Sequence, residues 1–131
     1  RYNRNVITDE VLQRLSATPA APQLMHLDVS GNNFTDVGLR CLMRFTQLED
    51  LSVPFCDQVQ SDDDFVCLGE LRRLRRLDVE GTNFGIAALR AVVAGCSEIQ
   101  FVDAGWGSPL QQHKDEVETL KRQRVGLIVN S

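Results

Sequence analysis

The chain has 131 residues, 43% apolar and 24% charged, with a formal charge of −4 at pH 7. That length buries a core without help from metal or disulfides. The mild acidity leaves no electrostatic footprint of a nucleic-acid binder, and no apolar run approaches the roughly 18 residues of a membrane span.

The opening R-Y-N-R-N lacks the apolar core of a signal peptide. Next, I-T-D-E-V-L-Q-R-L from Ile7 reads as a helix. Leu24 to Phe34, L-M-H-L-D-V-S-G-N-N-F, then sets apolar side chains at the first, fourth, sixth and eleventh places and Asn32 at the ninth. Neither a strand (period 2) nor a helix (period 3.6) writes that spacing over its whole length. F-T-D-V-G-L-R-C-L follows from Phe34, helical over Thr35 to Arg44, with Leu39 and Leu42 turned to the core.

The pattern then restarts: L-E-D-L-S-V-P-F-C from Leu48, L-R-R-L-D-V-E-G-T from Leu74, I-Q-F-V-D-A-G-W-G from Ile99 and a broken copy from Arg124. The starts stand 24, 26, 25 and 25 residues apart. F-G-I-A-A-L-R-A-V from Phe84 repeats the helical segment. After Ile99 the sequence predicts a helix over Leu110 to Arg124 and a strand from Val125 to Val129. Recurrence at this period marks a repeat architecture in which each copy buries its apolar face against the next.

Leu24 to Phe34 resembles the leucine-rich repeat core L-x-x-L-x-L-x-x-N-x-L at every fixed place, and four copies stand in phase. Cys56 at the ninth place, followed by Val59, is similar to the intracellular cysteine-containing, ribonuclease-inhibitor-like subclass, although Asn32 and Thr82 fill that place elsewhere. The resemblance implies one α/β domain over 1–131, a right-handed solenoid with a parallel concave sheet and convex helices. Its parts are a partial first repeat and helix (1–23), repeats at 24–47, 48–73, 74–98 and 99–123, and a closing strand (124–131). Arg1 to Asn5 reads as the tail of an earlier copy with Tyr2 facing the core. Further repeats, another domain or a second chain are therefore expected at that end.

In this scheme the fourth and sixth residues point into the core. Asn32, Cys56 and Thr82 occupy the turn slot, where Asn32 satisfies buried backbone groups and the other two turns rest more on packing. Asp36 and the run Asp62-Asp63-Asp64 suit helix starts, where free N–H groups favour negative charge. Adjacent aspartates diverge and lack the alternation of a calcium loop, so no metal is expected there.

The third, fifth and seventh places face outward on the sheet. The third are His26, Asp50, Arg76 and Phe101. The fifth are Asp28, Ser52, Asp78 and Asp103, then Ile128; the seventh are Ser30, Pro54, Glu80 and Gly105, then Asn130. Phe55 and Trp106 stand at the rim. Asp28, Asp50, Asp78, Glu80 and Asp103 thus form an acidic stripe crossed by Arg76, a surface suited to a protein partner with a basic segment, with Phe101 and Trp106 as anchors. Arg72, Arg73, Arg75 and Arg76 read as a solvated face.

Little else carries chemistry. No phosphate-cradling glycine loop, H-E-x-x-H or G-x-S-x-G occurs, and His26 and His113 stand far apart in sequence. Cys41, Cys56, Cys67 and Cys96 form no C-x-x-C pair. Their number permits two disulfides and their spacing demands none, so they read as buried thiols in a reducing compartment. The expectation is a non-catalytic, cofactor-free, intracellular adaptor or scaffold, a subunit of a larger complex. The cysteine-type resemblance also implies an alternative: the substrate-recognition domain of an F-box ubiquitin ligase.

Overall fold

The computed structural model describes residues 7–29 and 33–131. Among them β1 (His26–Asp28), β2 (Asp50–Ser52), β3 (Arg76–Asp78), β4 (Phe101–Asp103) and β5 (Ile128–Asn130) form one sheet in chain order. Every pair is parallel, and Leu27, Leu51, Leu77, Val102 and Val129 align as its middle row. Parallel neighbours require a crossover between strands. Here the crossovers are α2 (Asp36–Cys41) with a 3-10 turn at Leu42–Arg44, a 3-10 helix at Asp62–Glu70, and α3 (Ile86–Gly95). A 3-10 stretch at Pro109–His113 leads into α4 (Lys114–Gln123) before β5, and α1 (Asp9–Ser16) precedes the sheet.

The uneven apolar spacing now has its cause. Leu48, Leu74 and Ile99, at the first place, fold in beneath the strands, while Val29, Val53, Val79 and Ala104 leave them on the same inner side. Leu39, Leu42, Leu89 and Val92 close the layer from the helices, and all are buried. Each such side chain contributes about 1.5–3 kcal/mol. Phe65 and Phe84 meet edge to face, ring centroids 5.9 Å apart, and so tie the 3-10 crossover to the next copy.

Beyond each strand the ladder continues by one bond at the same place in every copy. Val29 donates to Ser52 O (2.9 Å), Val53 to Asp78 O (2.8 Å), Val79 to Asp103 O (2.8 Å) and Ala104 to Asn130 O (2.7 Å). The turn slot follows. Thr82 Oγ1 donates to Val79 O (2.6 Å) and accepts from Phe84 N–H (3.2 Å), and Cys56 Sγ donates to Val53 O (2.9 Å). Both slots therefore satisfy the same carbonyl three residues back, from side chains that are themselves buried. Asn32, Ser30 and Tyr2 lie outside the described residues.

The aspartates at the helix starts do something the sequence did not suggest. Thr8 and Thr35 cap their own helices, accepting from Val11 N–H (3.3 Å) and Val37 N–H (3.2 Å). Asp9, by contrast, reaches the next copy: its carboxylate accepts from Thr35 N–H (2.8 Å), Thr35 Oγ1 (2.7 Å) and Gly38 N–H (2.8 Å). Asp62 repeats the device, accepting from Gly85 (2.8 Å), Ala87 (2.9 Å) and Ala88 (3.0 Å) at the start of α3. Its own 3-10 helix is capped by Ser61. Each carboxylate thus fills the orphan donors of a neighbouring helix and locks two copies together. A Cβ at Gly38 would fall 2.5 Å from Asp9 Oδ1, and one at Gly85 would fall 2.8 Å from Asp62 Oδ2.

The closing copy departs from its expected register. Ile128 pairs with Phe101 in the third row, and Asn130 pairs with Asp103 in the fifth. Both lie one outward place earlier than the sequence spacing put them, and β5 begins three residues later than the expected strand. The reason is the anchor. Leu127, buried and turn-bonded to Arg124 O (3.1 Å), takes the role of Leu48 and Leu74, whose amides bond back in the same way. Arg124 caps the convex side instead, its guanidinium donating to Ser97 O (2.9 Å) and Val93 O.

Candidate functional site

Two rows of side chains face out of the sheet, and they differ in how their charges are met. In the third row His26 Nδ1 lies 2.8 Å from Asp50 Oδ2, and Arg76 Nε lies 3.9 Å from Asp50 Oδ1. The Arg76 guanidinium also sits over the Phe101 ring, 5.5 Å from its centroid. The row reads His–Asp–Arg–Phe–Ile across five strands, each polar member leaning on its neighbour. Asp50 is therefore not an open carboxylate of an acidic stripe: two basic groups flank it.

The fifth row is Asp28, Ser52, Asp78, Asp103 and Asn130. Neighbouring strands lie about 4.8 Å apart, so Asp78 and Asp103 repel by roughly 1 kcal/mol in water and more wherever solvent is excluded. Their internal partners are neutral. Asp78 accepts from Glu80 N–H (3.0 Å) and, weakly, from Ser52 Oγ (3.4 Å). Asp103 accepts from Gly105 N–H (3.0 Å) and the Asn130 amide (3.0 Å). Glu80 joins them: one oxygen from each of Asp78, Glu80 and Asp103 lies within 4.8 Å of the others. Among the described residues no lysine or arginine pairs with these three. The two rows line a hollow of about 640 Å³, floored by Leu27, Leu51 and Leu77.

Two exposed aromatic side chains stand at the eighth place of their copies. Phe55 is 55% exposed and Trp106 is 93% exposed. Among the described residues Phe55 is also the one non-glycine residue with a left-handed backbone (φ 59°), at the place where the next copy has Gly81 (φ 71°). Such a conformation costs a bulky residue of order 1–3 kcal/mol. Its ring lies against Gly81, where a Cβ would fall 2.3 Å from Phe55 Cδ1. The Phe55 ring thus stands exposed beside Gly81 and not in the core. Pro54, at the seventh place of the same copy, is buried.

The structure thus brings Asp78, Glu80 and Asp103 together. It sets Asp50 and Arg76 with His26, stacks Phe101 under Arg76, and leaves Trp106 standing clear. Cys56 and His26 do not form a nucleophile–base pair. His26 engages Asp50, and burial, helped by Asp57, pushes the Cys56 thiol up to about 12. Cys67 and Cys96 are likewise pushed up to about 11, chiefly by burial. All four thiols are free.

The sequence reading missed another hollow beside the third row, lined by Arg76, Gln100, Phe101, Val125, Gly126 and Ile128. Val125 (97% exposed) and Ile128 (59% exposed) extend the apolar edge of Phe101 there. Among the described residues no helix is long and apolar enough to cross a membrane.

Repeated strand–crossover units in one open parallel sheet fit an α/β repeat solenoid. Residues 22–43, the first complete strand-and-helix unit, match the family model of the leucine rich repeat. No curated protein matches the chain. The leucine-rich repeat is commonly a protein–protein interaction module, and the family is generally non-enzymatic.

Proposed function

We propose that this chain is a non-catalytic interaction module whose acidic sheet face holds a protein partner bearing a basic segment, as an adaptor or scaffold within a larger intracellular assembly. Asp28, Asp50, Arg76, Asp78, Glu80, Phe101, Asp103 and Trp106 are the contact residues of that reading. One observation carries it: Asp78, Glu80 and Asp103 converge, Asp78 and Asp103 with neutral hydrogen-bond partners, while Asp50 beside them has His26 and Arg76. Like charges held side by side oppose folding unless something else favours them, and a cationic partner does so. A right-handed coil and a single domain over 1–131 belong to the same reading.

Affinity purification with the wild-type chain and with Asp78→Ala, Asp103→Ala identifies the partner and tests the face together. The partner's purified binding segment is then titrated against both. The double variant is expected to bind at least tenfold more weakly, with loss of salt dependence. Equal affinity for a natural partner would overturn the reading.

A further inference from the structure

We infer that the chain carries a second docking surface, which takes an acidic segment of a protein partner anchored by one aliphatic residue. The surface lies on the edge where the chain enters β3, β4 and β5. It is opposite in charge to the acidic row and does not depend on it.

Four aligned turns build this edge. In each, the anchor that opens a strand bonds back by its backbone N–H: Leu48 to Phe45 O (3.1 Å), Leu74 to Leu71 O (3.0 Å), Ile99 to Cys96 O (3.1 Å) and Leu127 to Arg124 O (3.1 Å). The tips are Thr46-Gln47, Arg72-Arg73, Ser97-Glu98 and Val125-Gly126, and every tip residue is exposed. The closing bond uses no tip side chain, so the turn does not dictate what stands there. One tip nonetheless carries an aliphatic residue, Val125, 97% exposed, and another carries two arginines.

Val125, Ile128 and Phe101 give apolar walls to a hollow of about 430 Å³, with Arg76, Gln100 and Gly126 completing its lining. Arg75 stands beside it, its carbonyl accepting from Gln100 N–H (2.8 Å) and Phe101 N–H (3.1 Å). Arg72, Arg73 and Arg75 are exposed, and among the described residues none of the three forms an ion pair. Glu49 and Glu98, the acids of the same rows, form none either, while Asp50 is engaged by His26 and Arg76. Uncommitted guanidinium groups beside an apolar hollow ask for carboxylates and an aliphatic group on one segment. A phosphate backbone offers no aliphatic group, and it would meet a chain of net charge −4. Strands lie about 4.8 Å apart, so the Arg72-Arg73 tip stands about 10 Å from the Val125-Gly126 tip two copies on. An extended segment advances about 3.3 Å per residue, so the occupant places its acids about three residues from the aliphatic side chain.

Acetyl-Leu-Ser-Ser-Glu-Glu-amide is titrated into the ¹⁵N-labelled chain, beside one control peptide with glutamine for both glutamates and another with serine for the leucine. The first peptide is expected to shift the Val125, Gly126 and Ile128 amides saturably, and each control to bind about fivefold more weakly or worse. The shifts should be lost in Arg73→Gln with Arg75→Gln, and separately in Val125→Ser with Ile128→Ser. All four substitutions fall on exposed side chains, so the urea midpoint should hold in each variant. Absence of saturable shifts, equal binding of a control peptide, or an arginine variant that binds like wild type would overturn the inference. So would an oligothymidylate that binds more tightly than the peptide through the same arginines. Asp78→Ala with Asp103→Ala should not weaken peptide binding, so this surface and the acidic row stand or fall separately; a loss there would count against the inference.

Discussion

Two sets of aspartates occupy this molecule, one on each side of the core. On the helical side Asp9 and Asp62 each accept three hydrogen bonds from the next copy, two backbone amides and the Thr35 hydroxyl for Asp9 and three backbone amides for Asp62. On the sheet side Asp78 and Asp103 stand beside each other with a hydroxyl, an amide and single backbone N–H groups for company. The residue type is the same and the energetic sign is opposite. Helix starts supply orphan donors and positive potential, so a carboxylate there stabilises. In the parallel ladder the outward carboxylates of Asp78 and Asp103 repel each other, against a few hydrogen bonds from neutral donors. Acids that the fold needs and acids that the fold tolerates can be told apart by what they touch.

Substitution breaks or sharpens that contrast. The largest effect belongs to Asp62→Ala, which strands the amides of Gly85, Ala87 and Ala88 at the start of α3. It should cost about 2–3 kcal/mol, read as a lowered urea midpoint with unchanged slope. Gly85→Ala should also destabilise, because its Cβ would press on a carboxylate fixed by three bonds. Thr82→Val comes next. It leaves Val79 O and Phe84 N–H without their hydroxyl partner, at about 1–2 kcal/mol in the same assay, while filling the same volume.

The buried thiols test the core between the two sides. Burial raises Cys56 from 9.0 to about 12, so the folded chain keeps a proton that the unfolded chain releases. The stability tied to that proton is fully present below pH 9 and is lost progressively as pH rises toward 12. Urea midpoints measured across that window should fall with pH more steeply in wild type than in Cys56→Ala. A weaker pH effect lies on the helical surface. The hydrogen bond from Arg90 holds Glu116 below the usual carboxylate range. The α3–α4 contribution of that pair is therefore present at neutral pH and lost as pH falls through the lowered value, a loss that Glu116→Gln removes.

The strand rows were legible because a parallel repeat converts fixed spacing directly into register. His26, Asp50, Arg76 and Phe101 fell in one row because each stands two residues after a leucine or isoleucine that anchors its strand. The same logic failed at Ile128, where the anchor is Leu127 and the turn before it absorbs the difference. It also failed at Asp62. A local reading assigns an acid at a helix start to that helix, whereas the amides it serves lie 23 to 26 residues on. A glycine at the start of the following helix, Gly38 after Asp9 and Gly85 after Asp62, was the available sign. The pairing of Asp50 with His26 and Arg76 follows from the rows once drawn, since opposite charges one strand apart meet. The left-handed backbone of Phe55 carried no sequence signal except that its counterpart is Gly81.

The contrast between the two faces reduces to equilibrium urea unfolding of Asp62→Asn against the double variant Asp78→Asn with Asp103→Asn. The first is expected to lose at least about 1 kcal/mol, and the second to stay within about 0.5 kcal/mol of wild type or to gain. A double variant that loses as much as Asp62→Asn would mean that the sheet-face acids hold the fold together, and the account of that face would be wrong.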